Sequence, residues 1–338
     1  MRYTQFGSAG VRVSRLALGL GLRGQRDPAG AEGLIRRALD GGVNLFDCAN
    51  VYGLGDDRAN AGRSEEILGR VLKPVRDEIV LTSKVVSRIG PGPNDEGGSR
   101  YHILREAERS LRRLDTDRID VYLLHALDRG APLEEQLRAL DDLVRQGKVR
   151  YVGVCNFQAW QVCRALWVQE RLGAGPLITV QNPYSLLNRS LEGEMFTLAR
   201  DMGVGVMAYA PLGTGLLSGA YAPDAPPPPG SLWDRERRGH LSRTLQGRPA
   251  GVLEAVRRVA ARTGATVAQV ALAWVLSHPE ITCAISGADT EAQLAENLGA
   301  AELTLSAEDR DLLDGASAGL GMLLDGPQFA PALSGDRS

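Results

Sequence analysis

A closed (β/α)8 TIM barrel is the fold this sequence predicts, and three observations predict it. Counting from Leu16, eight short apolar runs alternate with stretches of helical period. Such regular alternation means a parallel sheet, and eight units in roughly 300 residues suit a closed barrel. The chain has 338 residues, enough for two average domains or one large α/β barrel, and its 43% hydrophobic content supplies a sizeable core. An N-terminal hairpin, a long loop or lid after the seventh strand and an extra C-terminal helix decorate the frame. Residues 1–316 read as a single barrel domain and residues 317–338 as a loose tail containing Gly and Pro.

The elements follow in order. Tyr3–Phe6 and Val11–Val13 flank Gly7-Ser8-Ala9-Gly10, a hairpin pattern. Leu16–Leu20 is the first barrel strand. Ala31–Asp40 is helical, with Pro28 as a natural first helical residue, and Gly41-Gly42 stops it. Val43–Phe46 is the second strand, Ser64–Leu72 a helix and Glu78–Lys84 the third strand. Leu104, Ala107, Leu111 and Leu114 line a helix face before the strand Ile119–His125. Leu133, Leu137, Leu140 and Val144 form another stripe, closed by Gly147 as a C-terminal cap. Val149–Val154, Leu177–Gln181 and Val204–Tyr209 are strands, separated by helices over Trp160–Leu172 and Leu191–Met202. Ser218–Ala250, with Pro226–Pro229 and a basic cluster at Arg235–Arg238, interrupts the rhythm and suits a lid over a site. Thr266–Leu276 opens with a capping box, Ile281–Ile285 is the last strand, and Thr290–Leu298 and Ser306–Ala316 are the closing helices.

Charge and composition narrow the functions. Thirty-nine basic residues balance 41 acidic ones, for a formal net charge of −2. With no basic stripe and no apolar run of membrane length, neither nucleic acid nor membrane is an expected partner. Met1–Gly7 lacks the apolar core of a signal peptide, and the four cysteines lack metal-ligand or redox-pair spacing, so a reducing, cytoplasmic location is expected. The sequence sets no oligomeric state. Gly19-x-Gly21-x-x-Gly24 matches a dinucleotide fingerprint, but that motif must open directly into a helix. Here Gln25-Arg26-Asp27-Pro28 intervenes, and a Gly-rich barrel loop is the better reading.

Polar residues at the strand ends carry the chemistry. Asp47 ends the second strand, with Tyr52 in the loop beyond it; Lys84 ends the third strand and His125 the fourth. Adjacent strands of a barrel share one C-terminal rim, where such folds place their active sites. Singly, each residue has a plain structural reading as a turn cap, a solvated lysine or a core histidine. Three neighbouring strands each ending in a titratable group form a constellation. A phenol is a weak acid, with a pKa of about 10, and needs a nearby cation to act near neutrality.

Phe46–Gly53 with Gly62-Arg63-Ser64-Glu65, then Thr82-Ser83-Lys84 and Leu123-Leu124-His125, is similar to the aldo-keto reductase signature. Gly153–Phe157, Gln181–Ser185, Tyr209–Gly213 and Ala295-Glu296-Asn297 resemble that family's cofactor motifs, so the resemblance runs from about Tyr3 to Ala316. It implies an NAD(P)H-dependent oxidoreductase that reduces an aldehyde or ketone, or oxidises the corresponding alcohol or sugar. It places the nicotinamide cofactor across the barrel rim without a Rossmann domain. By the same resemblance Tyr52 is the general acid/base and Lys84 lowers its pKa. Asp47 fixes Lys84, and His125 orients the substrate oxygen. Asn156 and Gln181 hold the carboxamide and Tyr209 stacks on the ring. Pro211, Leu212, Gly213, Ser286, Gly287, Ala288, Asp289, Gln293, Glu296 and Asn297 complete the expected cofactor site, and no metal is expected.

Departures from the pattern matter. Cys155 stands where many relatives have Ser, and Gly55–Asn60 is an acidic insertion beside the substrate mouth. The stretch Ile285–Thr290 has no Lys or Arg, although the family commonly binds NADPH through basic groups there. Asp289 would repel a 2′-phosphate and could accept hydrogen bonds from free ribose hydroxyls, which leans toward NADH. Thr290-x-x-Gln293 is also a plain capping box, and Arg235–Arg238 or Arg243 could supply the missing charge. Two rival functions stand beside the reductase: a cofactor-binding regulatory subunit with little turnover, and a metal-dependent hydrolase or lyase. The lack of clustered histidines counts against the second.

Overall fold

The computed structural model describes residues 1–22, 24–222, 225–235 and 241–321, the side chains of Asp56, Arg235 and Arg243 excepted. A short antiparallel hairpin, β1 (Tyr3–Gln5) and β2 (Arg12–Ser14), opens the chain. At its turn Gly7 has φ +55°, and a Cβ there would lie 1.9 Å from the Ile178 carbonyl oxygen. Glycine alone allows that close approach. Phe6, Ala9 and Val13 therefore enter the barrel from the N-terminal ends of its strands and pack with Leu45, Val121 and Ile178.

The barrel then runs in order: β3 (Leu16–Gly19), α1 (Pro28–Asp40), β4 (Leu45–Asp47), α2 (Arg63–Leu72), β5 (Val80–Val85), α3 (Arg100–Arg113) and β6 (Ile119–Leu124). It continues with α4 (Leu133–Arg145), β7 (Val149–Cys155), α5 (Ala159–Leu172), β8 (Leu177–Pro183), α6 (Met195–Met202) and β9 (Gly205–Tyr209). Two short helices, α7 (Leu232–Arg235) and α8 (Leu241–Thr244), precede α9 (Arg248–Thr263), α10 (Val267–Leu276), β10 (Ile281–Ser286), α11 (Glu291–Leu298) and α12 (Ala307–Ser317). Strands β3 to β10 form a closed parallel barrel, with β10 paired to both β3 and β9. The expected (β/α)8 architecture is the observed one.

Strand alternation divides the core in two. Inward residues such as Leu45, Val121, Cys155 and Met207 fill the barrel with the hairpin, while outward residues such as Phe46, Tyr122 and Leu124 join the helix stripes. Each fully buried Leu or Phe contributes about 1.5–3 kcal/mol by leaving water. Helix starts follow the predicted chemistry. The Asp27 carboxylate caps α1 by accepting from Gly30 N, and both Thr266 and Thr290 form reciprocal capping boxes with Gln269 and Gln293.

Three readings need correction. The helix expected over Leu191–Met202 is a 3-10 turn at Ser190–Glu192 followed by α6, broken at Gly193. The interruption expected to run to Ala250 ends earlier, because α9 begins at Arg248 and buries Val252, Leu253, Val256 and Val259. The lid segment is also not plain loop: Trp233, Leu241 and Leu245 are buried, and Trp233 Nε1 donates to the Thr214 carbonyl oxygen at 3.1 Å. Residues 236–240, with most of the basic cluster, and the tail from residue 322 lie outside the described residues. Among the described residues, no single helix is long and apolar enough to cross a membrane.

Candidate active site

Register places the polar residues. Asp47 ends β4 level with Thr82 of β5, and Lys84 lies two residues further along β5, on the same inward face. The fully buried Lys84 ammonium donates to Asp47 Oδ2 at 2.7 Å, to the Cys48 carbonyl oxygen at 2.8 Å and to the Tyr52 hydroxyl oxygen at 3.3 Å. Asp47 Oδ1 accepts from Thr82 Oγ1 at 2.6 Å and from Gln181 Nε2 at 2.8 Å. Gln181 belongs to β8, four strands round the barrel from β4, so its amide crosses the full interior. His125 follows β6, with its backbone N–H on the Val85 carbonyl oxygen at 2.9 Å and its Nδ1 at 3.1 Å from Ser87 Oγ. Its ring meets Tyr52 edge to face at a centroid separation of 5.8 Å. Sequence order thus becomes one cluster of Asp47, Tyr52, Lys84 and His125.

Burial and charge set the proton affinities. For Lys84 desolvation works against the ammonium, but the Asp47 carboxylate and then Tyr52 outweigh it, so the lysine holds its proton firmly. For Tyr52 burial sets the net direction of the pKa upward, although the Lys84 ammonium lowers it as expected. Burial raises it more than the Lys84 ammonium lowers it, and the phenol stays protonated at neutral pH. That state suits a donor. Burial, followed by the charges of Lys84 and Arg58, holds the His125 imidazole well below its usual range, so the ring is neutral.

Outside the cluster, burial also depresses His102 on α3, whose Nδ1 lies 3.0 Å from the Asn94 carbonyl oxygen. Its Nε2 is buried with no partner among the described residues. The consequence for stability has a definite sign. Below about pH 6.5 the unfolded histidines take up protons that the folded ones refuse. Stability is therefore full above that value and falls as pH drops from it through the folded pKa values. His102→Asn, whose amide can still donate to Asn94, is expected to flatten the pH slope of the unfolding free energy measured in urea between pH 7 and 5 by up to about 1.4 kcal/mol per pH unit. An unchanged slope contradicts this assignment.

The rim beyond the cluster holds the other predicted residues. Asn156, at φ +59°, donates from Nδ2 to the His125 carbonyl oxygen at 2.9 Å and accepts from the Tyr209 hydroxyl at 2.8 Å. Pro211, Leu212 and Gly213 follow β9 in a tight turn, with Gly213 at φ +55°. Ser286 ends β10, its Oγ held by Asn297 Nδ2 at 3.0 Å. Gly287 has no atom within 4 Å of where a Cβ would stand, and Ala288 follows it. The Gln293 Oε1 accepts from Asp289 N and Thr290 N at 2.8 and 3.2 Å, while Glu296 lies a turn further along α11. The Asp289 side chain lies against Gly24, where a Cβ would meet Oδ1 at 1.9 Å, and Gln25 Nε2 donates to the Asp289 carbonyl oxygen at 2.5 Å. This open shelf of a strand-end hydroxyl, an amide and a carboxylate has donors and acceptors that fit the ribose of a nucleotide. The Gly-rich stretch rejected as a Rossmann fingerprint thus borders the shelf as a barrel loop.

Sequence reading missed four contributors. Thr82 and Ser87 hydrogen-bond Asp47 and His125, and Arg58, in the loop noted for its acids, brings positive charge toward His125. Asn50, buried between Asp47 and Tyr52, donates to Glu106. None has a signal beyond its nearness to a recognised position: Thr82 lies two and Ser87 three residues from Lys84, Asn50 two and Arg58 six from Tyr52.

A closed parallel eight-stranded barrel with a buried Asp–Lys–Tyr cluster and a neutral histidine at its C-terminal rim defines a (β/α)8 barrel with a polar site at that rim. The chain belongs to the Aldo/keto reductase family, whose profile it matches over residues 15–318. It is 38% identical over 330 residues to the uncharacterized oxidoreductase YrpG of Bacillus subtilis (strain 168), covering 95% of this chain and 97% of that one. It is 34% identical over 310 residues to a probable voltage-gated potassium channel subunit beta of Arabidopsis thaliana, covering 90% and 92% of the two chains. It is 32% identical over 332 residues to L-glyceraldehyde 3-phosphate reductase of Escherichia coli (strain K12), covering 93% and 92%. The family generally binds NAD(P)H and acts on small-molecule carbonyl or sugar substrates.

Proposed function

We propose that this protein reduces an aldehyde or ketone with a reduced nicotinamide cofactor, or runs the reverse oxidation of an alcohol or sugar. The Tyr52 hydroxyl is the proton donor. The observation that carries this reading is the Tyr52 hydroxyl 3.3 Å from a Lys84 ammonium that Asp47 fixes at 2.7 Å. The bound cofactor supplies the hydride. Tyr52 gives its proton to the carbonyl oxygen as negative charge develops there, and Lys84 stabilises the phenolate left behind. Donation of a hydrogen bond to the substrate oxygen requires the His125 imidazole proton on Nε2, and in that tautomer the Ser87 hydroxyl, 3.1 Å away, donates to Nδ1. Asn156 and Gln181 orient the carboxamide, Tyr209 packs on the ring, and the segments 211–213 and 286–297 hold the rest of the nucleotide. A panel of aldehydes, ketones and sugars, glyceraldehyde 3-phosphate among them, tests this by oxidation of the reduced cofactor.

The second reading is a cofactor-binding regulatory subunit with little turnover, favoured by the 34% identity to a probable channel subunit beta. The same panel separates the two, because a subunit would bind cofactor without oxidising it.

Asp289 bears on which nicotinamide is used. Its carboxylate at the shelf, with no Lys or Arg in the stretch from Ile285 to Thr290, favours free ribose hydroxyls over a 2′-phosphate. NADH is expected to bind at least as tightly as NADPH. Asp289→Ser with Thr290→Arg is expected to move the ratio of dissociation constants toward NADPH by about tenfold, or ~1.4 kcal/mol. A strong NADPH preference in the unaltered protein contradicts the Asp289 argument and turns attention to the arginines of residues 235–243.

A further inference from the structure

Helix α3 does not bury an apolar stripe alone. His102, Glu106 and Ser110 lie on its buried face between Ile103, Ala107 and Leu111. Glu106 is fully buried, with Arg109 Nη1 at 2.8 Å from its Oε1 and Arg113 Nη2 at 3.9 Å from its Oε2. Its Oε2 accepts from Asn50 Nδ2 at 3.2 Å. A second buried carboxylate, Glu65 of α2, accepts from Ser83 Oγ at 2.5 Å and from Arg113 Nε at 2.7 Å. Ser83 is the outward neighbour of Lys84 on β5, so this charged layer backs the strand that carries the ammonium. The mechanism above uses none of it.

Asn50 stands midway between Asp47 and Tyr52 and is itself buried. Its backbone N–H reaches the Lys84 carbonyl oxygen at 3.3 Å, a long bond, and Tyr52 N–H donates to the Ala49 carbonyl oxygen at 3.1 Å. The loop that carries the phenol is held to β5 by Cys48 N–H on the Thr82 carbonyl oxygen at 3.0 Å, by the Asn50 N–H and by Lys84 Nζ on the Cys48 carbonyl oxygen. It is held to α2 by Ser64 N–H on the Tyr52 carbonyl oxygen at 3.2 Å, and its tie to α3 is the Asn50 side chain on the buried Glu106 carboxylate. Charge-assisted bonds are roughly twice as strong as neutral ones. We propose that Asn50 and Glu106 are positioning residues for Tyr52: the carboxylate of α3 holds the loop through the Asn50 amide and so sets the distance from the phenol to Lys84. This rests on the reading of Tyr52 as the proton donor. The 3.3 Å separation of Tyr52 and Lys84 leaves little slack, and a misplacement of about 1 Å can cost a hundredfold in rate.

The test measures kcat, KM and the solvent deuterium isotope effect on kcat for Asn50→Ala, Glu106→Gln and Glu106→Ala, normalised to titrated cofactor sites. Asn50→Ala is expected to lower kcat by about ten- to a hundredfold with KM and cofactor affinity within about twofold. The isotope effect is expected to rise, because proton transfer from a loosened phenol becomes more rate-limiting. Glu106→Gln keeps an oxygen for Asn50 and is expected to retain more activity than Glu106→Ala. A loss of packing alone would lower the number of titrated sites and leave the isotope effect unchanged, and that result overturns the proposal. So does an Asn50→Ala protein with unaltered kcat. If the Glu106 variants fail to fold, the Asn50 variant decides by itself. Tyr52→Phe in parallel separates the two readings: full turnover there defeats the donor assignment, whereas loss there with an indifferent Asn50→Ala defeats only the positioning role.

Discussion

Tyr52→Phe is expected to lower carbonyl reduction by about a thousandfold or more while leaving the dissociation constant of the cofactor nearly unchanged. The substitution removes one oxygen and keeps the ring, so the edge contact with His125 survives. What is lost is the proton that balances negative charge on the carbonyl oxygen in the transition state. General acids of this kind contribute typically 10²–10⁴ in rate. Because burial outweighs Lys84 in setting its proton affinity, the phenol is protonated across the neutral range. The reduction rate of the unaltered protein should therefore show no fall from phenol ionisation as pH rises from 7 to about 9. Near-full turnover in Tyr52→Phe would contradict the assigned chemistry and leave the fold untouched.

Lys84→Met is expected to have two effects that a second substitution can separate. The ammonium is fully buried and anchors both Asp47 and the phenol, so its removal is expected to cost about 10²–10³ in kcat. It also strands a nearly buried carboxylate. Asp47 keeps its bonds from Thr82 and Gln181 but loses its only ion-pair partner among the described residues. Breaking a buried pair from one side typically costs about 3–5 kcal/mol, whereas replacing both partners with apolar groups can be close to neutral. Adding Asp47→Leu to Lys84→Met should therefore recover much of the urea midpoint while activity stays lost. A double variant that regains turnover would show that the pair serves only the fold.

The alternation of apolar runs with helical stripes made the barrel legible, because a strand buried on both faces reads as a continuous apolar run while a 3.6-residue period reports the buried face of a helix. The strand-end residues were legible for the same reason: Asp47, Lys84 and His125 each close an apolar run, and a parallel barrel sends those ends to one rim. Helix α9 was hidden because its Val252, Val256 and Val259 stripe follows a Pro run and a basic cluster that read as loop. The polar inner face of α3 was hidden by the opposite effect. Glu106 and His102 at helical spacing look like a solvated surface until the packing of α2 and β5 encloses them. The net direction of the Tyr52 shift depends on how deeply the phenol is enclosed, and spacing in sequence carries no measure of depth. The bond from Gln181 to Asp47 was illegible too, since it joins opposite walls of the closed barrel.

The central claim is hydride transfer to a carbonyl at this rim, and single-turnover mixing tests it most directly. The unaltered protein, in slight excess over bound NADH or NADPH, is mixed with each member of the carbonyl panel. Absorbance of the reduced nicotinamide is followed, and the alcohol product is quantified. The account predicts loss of reduced cofactor matched one to one by alcohol, abolished on this timescale in Tyr52→Phe. Tight cofactor binding with no oxidation by any carbonyl, in the presence of an intact Asp47–Lys84–Tyr52 cluster, would contradict it and favour the regulatory-subunit reading.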